Sequence, residues 1–259
     1  MIERVRSTAR IAGFLGLTSA SLVSLFATEL VTKKKDLRAL RERRAHTWAH
    51  RLLWIFNVEV VLEGELPEGP FLLVPNHRAA LDILIVRAFI GGHFVSRADL
   101  ARWPLIGQAA ESVGTIFVDR SNKSSGSGAL REVERVLKSG ANVVVFPEGT
   151  TFIGDEVRPL HAASLLPAVR TGTKLVPLGI AYETGSEAAF VGETFGKHLA
   201  RATRAKKTRV ALVLGESIPT TGLPEDPPAR RKALTTLGND LRMTIQALVD
   251  RARVRIDQK

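Results

Sequence analysis

The chain has 259 residues, of which 45% are hydrophobic and 24% charged, with no cysteine and a formal net charge of +11. That balance excludes global disorder, and the length fits one sizeable α/β domain with room for an added helical segment. The missing cysteines exclude a disulfide framework, a thiolate nucleophile, an iron–sulfur cluster and a Cys-ligated zinc site.

The first element is an uncharged run of eighteen residues, 11–28, five of them Ser or Thr. That is the lower limit for a helix crossing a bilayer. Arg4, Arg6 and Arg10 precede it, and Lys33, Lys34 and Lys35 follow. A basic flank on both sides fits a helix lying in, or dipping into, an anionic leaflet. No A-x-A site follows, so the run does not read as a signal peptide. A second helical pattern covers residues 36–56, where Trp48 and Trp54 are expected at headgroup level. The alternative is that both helices pack on the domain and bury the tryptophans. Residues 1–57 are therefore expected to be membrane-associated helices, on the cytoplasmic face of the cell membrane, with residues 58–259 as the catalytic domain.

From Val58 onward, short β-branched runs alternate with helical patterns. Strands are expected at 58–63, 71–75, 93–96, 115–118, 142–146, 174–182 and 209–215, and helices at 81–90, 128–138, 161–171 and 228–253. This alternation predicts a mixed, largely buried α/β sheet flanked by helices, with the amino-terminal helix pair added to it. The stretch SNKSSGSG at 121–128 is expected to be a flexible loop by composition, and the four prolines within 219–228 a rigid connector.

The charge is unevenly spread: residues 1–50 carry a net +6, residues 51–199 a net −2 and residues 200–259 a net +7. Basic ends of this kind attract nucleic acid, anionic lipid headgroups or a phosphorylated substrate, or serve only solubility. A single tyrosine and 6% aromatic residues leave few stacking platforms, so nucleic acid is not an expected partner.

Several familiar sites are absent. There is no G-x-S-x-G elbow, no P-loop and no G-x-G-x-x-G fingerprint. The six histidines are expected to provide no zinc-suited pair, so no metal is expected. What remains is the run Asn76-His77-Arg78-Ala79-Ala80-Leu81-Asp82, directly after the strand FLLVP. An imidazole oriented by a carboxylate suits general base catalysis. Five residues of ideal helix turn the two side chains about 140° apart. His77 must then sit in a turn, with Asp82 in the first turns of the following helix. Alone, such a pair reads first as a capped turn with solvated ionic side chains.

Three further blocks follow in order: GTIFVDR (114–120), FPEGTT (146–151) and LVPLGIAY (175–182). Together the four blocks resemble the glycerolipid acyltransferase family, above all its 1-acylglycerol-3-phosphate and related lysolipid members, over roughly residues 50–215. The resemblance implies that His77 removes the proton of an acceptor hydroxyl that attacks an acyl thioester, and that Asp82 orients His77. It also implies that Arg120, Glu148 and Gly149, with Asn76 and Thr150 beside them, bind the lysophospholipid acceptor. The donor would be acyl-CoA or acyl carrier protein, with no cofactor beyond that co-substrate. Membrane lipids complete the expected partners. A thioester is already activated, so the absence of a cysteine nucleophile is no obstacle, and backbone N–H groups near the helix start are candidates for holding the oxyanion.

One position departs from the family pattern: the third block commonly ends in arginine in phosphate-accepting members, and here residue 151 is Thr. Either Arg120, Arg158 or Arg97 compensates, giving phosphatidic acid as the expected product, or the acceptor is a lyso-amino lipid of lyso-ornithine type. A non-catalytic lipid-binding protein is the reading of a different class. The basic stretch Arg201, Arg204, Lys206 and Lys207 either docks an acidic carrier or is simply solvated.

Overall fold

A computed structural model describes residues 1–33, 36–119, 123–222, 224 and 226–258. Lys34, Lys35 and Arg120 lie outside the described residues, as do the first two residues of the stretch expected to be a loop. Two long helices, α1 (Ile2–Glu29) and α2 (Leu37–Ile55), precede the strands β1 (Val58–Glu63) and β2 (Phe71–Pro75). Then come α3 (Leu81–Phe89), β3 (His93–Arg97), a 3-10 turn (Ala98–Arg102), α4 (Ile106–Ser112), β4 (Ile116–Val118) and α5 (Lys123–Lys138). The chain continues through β5 (Val143–Val144), a second 3-10 turn (Ala162–Leu165), α6 (Leu166–Thr171) and β6 (Lys174–Tyr182). It closes with α7 (Phe195–Ala202), β7 (Thr208–Leu214) and α8 (Pro227–Asp257).

The strands form one sheet in the order β1-β7-β6-β2-β5-β3-β4, parallel throughout except where β6 meets β7. The mixed sheet is as expected. Its central strands are apolar on both faces because helices cover both. Side chains alternate along β2: Phe71 and Leu73 join Leu52 and Leu53 of α2 and Ile85 and Val86 of α3. Leu72 and Val74 join Val133 and Leu137 of α5 and Leu241, Ile245 and Val249 of α8. Gly179 allows α8 to approach β6 closely, since a Cβ there would stand 2.4 Å from the backbone carbon of Leu248.

Three expectations are corrected. The serine- and glycine-rich segment is helical from Lys123, so α5 begins five residues before 128, because its apolar face from Ala129 to Leu137 packs under the sheet edge. The short helices α4 and α7 carry too few periods to show in the sequence. The strand expected at 142–146 has only two ladder residues, because Phe146 turns away toward the end of β2. The proline connector also opens a helix: Pro227 and Pro228 occupy the first turn of α8, and Asp226 caps it by accepting from the Ala229 N–H at 3.0 Å.

The α1–α2 hairpin lies along the domain. Near its start, Arg10 is buried and donates to the carbonyls of Ile55 (3.1 Å), Thr203 (3.1 Å) and Ala205. At the far end, Arg38 donates to the carbonyls of Ser139 and Gly140, both at 3.0 Å. Trp48 is half-buried between the helices and packed against the core, with its indole N–H on Thr18 Oγ1 at 3.1 Å. Trp54 is 83% exposed. The free face of α1 presents Ile2, Val5, Ile11, Leu15, Val23 and Phe26.

Replacing Arg10 by Met removes the donors for three carbonyls and is expected to cost about 2–3 kcal/mol. Thermal unfolding should then shift down by about 4–10 °C, with faster proteolysis in the turn after α1. An unchanged melting temperature and cleavage pattern would rule out this docking role.

Candidate active site

The site begins with the unequal lengths of β2 and β6. Their ladder pairs Phe71 with Lys174 through Pro75 with Leu178, and β6 then runs on to Tyr182. Where β2 stops, the Asn76 side chain continues the pairing. Its Nδ2 donates to the Ile180 carbonyl at 3.0 Å, and its Oδ1 accepts the Ile180 N–H at 2.7 Å. Asn76 is 2% exposed, and its amide acts as a strut of the sheet.

The turn from 77 to 80 carries four backbone N–H groups, and each has a named acceptor. The His77 N–H donates to Glu148 Oε1 at 2.8 Å. The N–H groups of Arg78 and Ala79 donate to Asp82 Oδ2 at 2.6 and 2.8 Å. The Ala80 N–H donates to His198 Nε2 at 3.0 Å. These four amides are therefore committed to protein acceptors.

Asp82 is fully buried in the first turn of α3. Besides the two amides, it receives His77 Nδ1 at 2.8 Å on Oδ2 and the Tyr182 hydroxyl at 2.6 Å on Oδ1. With Nδ1 held by a carboxylate, the proton of a neutral His77 sits on Nδ1, and Nε2 keeps the free lone pair. The imidazole is stacked on Phe146, with centroids 4.2 Å apart, and its side chain is 16% exposed. Burial, followed by the Asp82 charge, pushes the Tyr182 phenol well above its ordinary pKa, so it remains a donor.

Glu148 is also buried, and both of its oxygens accept backbone amides: His77 on Oε1, and Arg158 on Oε2 at 3.0 Å. Burial raises its pKa against the pull of those two donors. It thus ties the FPEG turn to the base of His77. Gly149 has φ +82°, which an L side chain rarely adopts, and lets the chain reverse there. Thr150 is exposed and Thr151 half-buried beyond it. Arg97 is turned to Asp99 at 2.8 and 2.9 Å, whereas Arg158 joins the site through its amide and lies over the Phe152 ring. Arg78 is buried, donating to the Phe152 carbonyl at 2.7 Å and facing Asp155 at 3.2 Å, which Arg253 of α8 holds in turn. Within the basic stretch, Arg201 is turned inward to Glu193 and Lys207 is paired with Glu59.

Tyr182, His198, Arg78 and Phe146 carry no assigned role in the sequence. Phe146 and Tyr182 stand in recognised blocks and Arg78 inside the His–Asp run, whereas His198 has no motif signal. His46 and His50 form an H-x-x-x-H pair on α2, contrary to the expectation of none, with ring centroids 4.5 Å apart. Among the described residues, no group of three or more His, Asp or Glu is placed to hold a metal ion.

A family model described as Acyltransferase matches residues 57–181. A lyso-ornithine lipid O-acyltransferase of Pseudomonas aeruginosa is 34% identical over 238 residues, covering 89% of this chain and 92% of that one. The chain belongs to the acyltransferase family. It is accordingly an enzyme, and its class is that of the lysolipid acyltransferases of lipid biosynthesis. A 1-acyl-sn-glycerol-3-phosphate acyltransferase of Neisseria gonorrhoeae is 32% identical over 127 residues, covering 48% of this chain and 50% of that one. The crystal structure of the 1-acyl-sn-glycerophosphate acyltransferase of Thermotoga maritima superposes with a TM-score of 0.69 at 22% identity, covering 95% and 98% of the two chains, and shows that the fold is shared.

Replacing Tyr182 by Phe strands one oxygen of a buried carboxylate, at about 1–3 kcal/mol. Acyltransferase activity is expected to fall about tenfold and the melting temperature to drop by several degrees. Wild-type values for both would show that Asp82 does not depend on this donor. Glu148→Gln sets an amide N–H against a backbone N–H, and a loss of similar size is expected in the same two measurements.

Proposed function

We propose that this acyltransferase moves an acyl group from a thioester, acyl-CoA or acyl carrier protein, to the hydroxyl of a lyso-amino lipid of lyso-ornithine type. His77 Nε2 takes the hydroxyl proton as the oxygen forms its bond to the thioester carbonyl carbon. The C–S bond then breaks, and the proton passes from His77 to the leaving thiolate, giving an ester and a free thiol. Asp82 holds the Nδ1–H tautomer and stabilises the imidazolium that forms transiently. A well-placed base of this kind contributes ~10²–10⁴-fold. The observation that carries the mechanism is the single carboxylate shared by His77, two amides of its own turn and Tyr182.

The acceptor reading rests on Thr151, which leaves the third block without its usual cation, and on the likeness to the Pseudomonas enzyme along nearly the whole of both chains. A second reading, 1-acylglycerol-3-phosphate as acceptor, is favoured by the Neisseria relative, which aligns over half its length. Arg158 is tied to Glu148 through its backbone amide, with its guanidinium on Glu156 at 3.1 Å, while Arg120, to which a headgroup role was assigned, lies outside the described residues. We further assign residues 1–57 to membrane contact: the hairpin is bound to the domain at both ends, so its open apolar face suits a leaflet surface better than a span. Residues 58–259 then carry the reaction at the cytoplasmic face.

The test is acyl transfer by the purified protein in detergent, with a labelled acyl-CoA and with acyl carrier protein as donors. Lyso-ornithine lipid and 1-acylglycerol-3-phosphate are offered in parallel. Turnover at least tenfold faster on lyso-ornithine lipid is expected, and loss of about 10³-fold or more in folded His77→Ala and Asp82→Asn. A preference for 1-acylglycerol-3-phosphate overturns the acceptor assignment alone. Turnover retained in His77→Ala overturns the base assignment.

A further inference from the structure

Of the four amides in the 77–80 turn, three are pinned by residues of the family blocks, and the fourth is pinned by a residue from outside them. His198 lies on α7, is 1% exposed, and accepts the Ala80 N–H on Nε2 at 3.0 Å. Ala80 is the N-cap of α3, two residues before Asp82, and α3 has no side-chain cap of its own. A nitrogen that accepts an amide must be unprotonated, so the ring proton is on Nδ1, directed at Glu193 Oε1 at 3.3 Å. Glu193 is fixed by Arg201 at 2.5 Å, and Arg201 also donates to the Ala189 carbonyl at 2.5 Å. The Phe190 ring stands edge-on to the imidazole, with centroids 5.6 Å apart. The Phe190 N–H in turn donates to the Arg78 carbonyl at 3.0 Å, a second tie from this segment to the same turn.

We infer that His198 is a positioning residue for the His77–Asp82 pair: held by Glu193 as the Nδ1–H tautomer, its Nε2 fixes the start of α3 and so the angle at which Asp82 meets His77. This inference rests on the assignment of that pair as the reacting site. It makes His198 a neutral acceptor where a third carboxylate would face Asp82 across a short, buried turn. Protonation would replace the acceptor with an N–H aimed at the Ala80 N–H and release the turn.

The groups that face His198 set the direction of its titration. Burial holds its pKa below the ordinary histidine value, and Arg201 adds to this, while Glu193 and Asp82 pull it up. Because the folded value is the lower one, the contribution to stability is complete above about pH 6.5 and is lost as pH falls from there through the folded value.

The experiment compares His198→Gln, whose amide oxygen reaches the Nε2 position and does not titrate, with His198→Leu, which fills the space without an acceptor. Three readouts are taken: kcat and KM per folded enzyme, the melting temperature from pH 7.5 to 5, and amide hydrogen exchange of peptides covering residues 76–84. His198→Leu is expected to lower kcat by about 10–100-fold with KM within about twofold, and to speed exchange in that peptide. His198→Gln should stay within about threefold of the parent, keep exchange protected, and lose part of the acid-induced fall in melting temperature. Unchanged exchange in His198→Leu overturns the inference whether or not the enzyme turns over on any acceptor. Equal loss in both variants, with the parent's pH dependence of stability retained, overturns it as well, because the acceptor atom would then be irrelevant. Turnover missing in the parent, with exchange responding as expected, counts against the reaction and leaves the positioning role supported.

Discussion

A single carboxylate with no solvent exposure organises the centre of this protein. A buried ion costs several kcal/mol unless its lone pairs are met by donors, and Asp82 has four: an imidazole, a phenol and two amides. The donors come from two places in the chain: the turn after β2, which supplies the imidazole and both amides, and the far end of β6. Each must arrive in register for the buried charge to be met by donors. The same arrangement stiffens the base it serves. His77 cannot rotate without giving up its bond to Asp82, and its backbone cannot shift without leaving Glu148.

This constraint explains features of the sheet that would otherwise look accidental. β6 is nine residues long beside a five-residue β2, and the excess carries Tyr182 to Asp82. Asn76 fills the ladder where β2 has ended and thereby sets the point at which the turn begins. Gly179 lets α8 press against that same stretch of β6. Arg253 of α8 then holds Asp155, which faces Arg78 of the turn. Sheet, helix and turn are thus tied to the carboxylate by separate sets of contacts.

The strands were legible because each is a short β-branched run bounded by turn residues, and β1, β2 and β6 fall on their expected residues. Composition misled where packing overrode it: serines and glycines at 124–128 read as loop, yet they extend a helix whose later turns are anchored in the core. The His77–Asp82 pair was legible as a motif, and its geometry follows the turn-then-helix argument. What the sequence could not distinguish was ligand contact from support. Asn76 and Glu148 sit in motif blocks, yet both spend their polar atoms on the backbone. His198 is separated from Ala80 by 118 positions, and no local pattern marks so distant a contact.

The amino-terminal hairpin meets the same region by another route. Arg10 of α1 donates to the carbonyls of Thr203 and Ala205, just after the helix that carries His198, while Leu52 and Leu53 of α2 pack into the cluster that holds Leu81 and Ile85 of α3. The inner side of the hairpin is therefore packed against α3 and tied just beyond α7, the two helices that set the His77–Asp82 turn. An enzyme acting on a substrate dissolved in a membrane needs its base at a fixed depth from that surface. On the proposed membrane contact, a hairpin joined to the catalytic core by buried polar and apolar contacts would supply this, whereas a tethered helix on a free linker would not. The net positive charge of the first fifty residues accords with the proposed contact with anionic lipid.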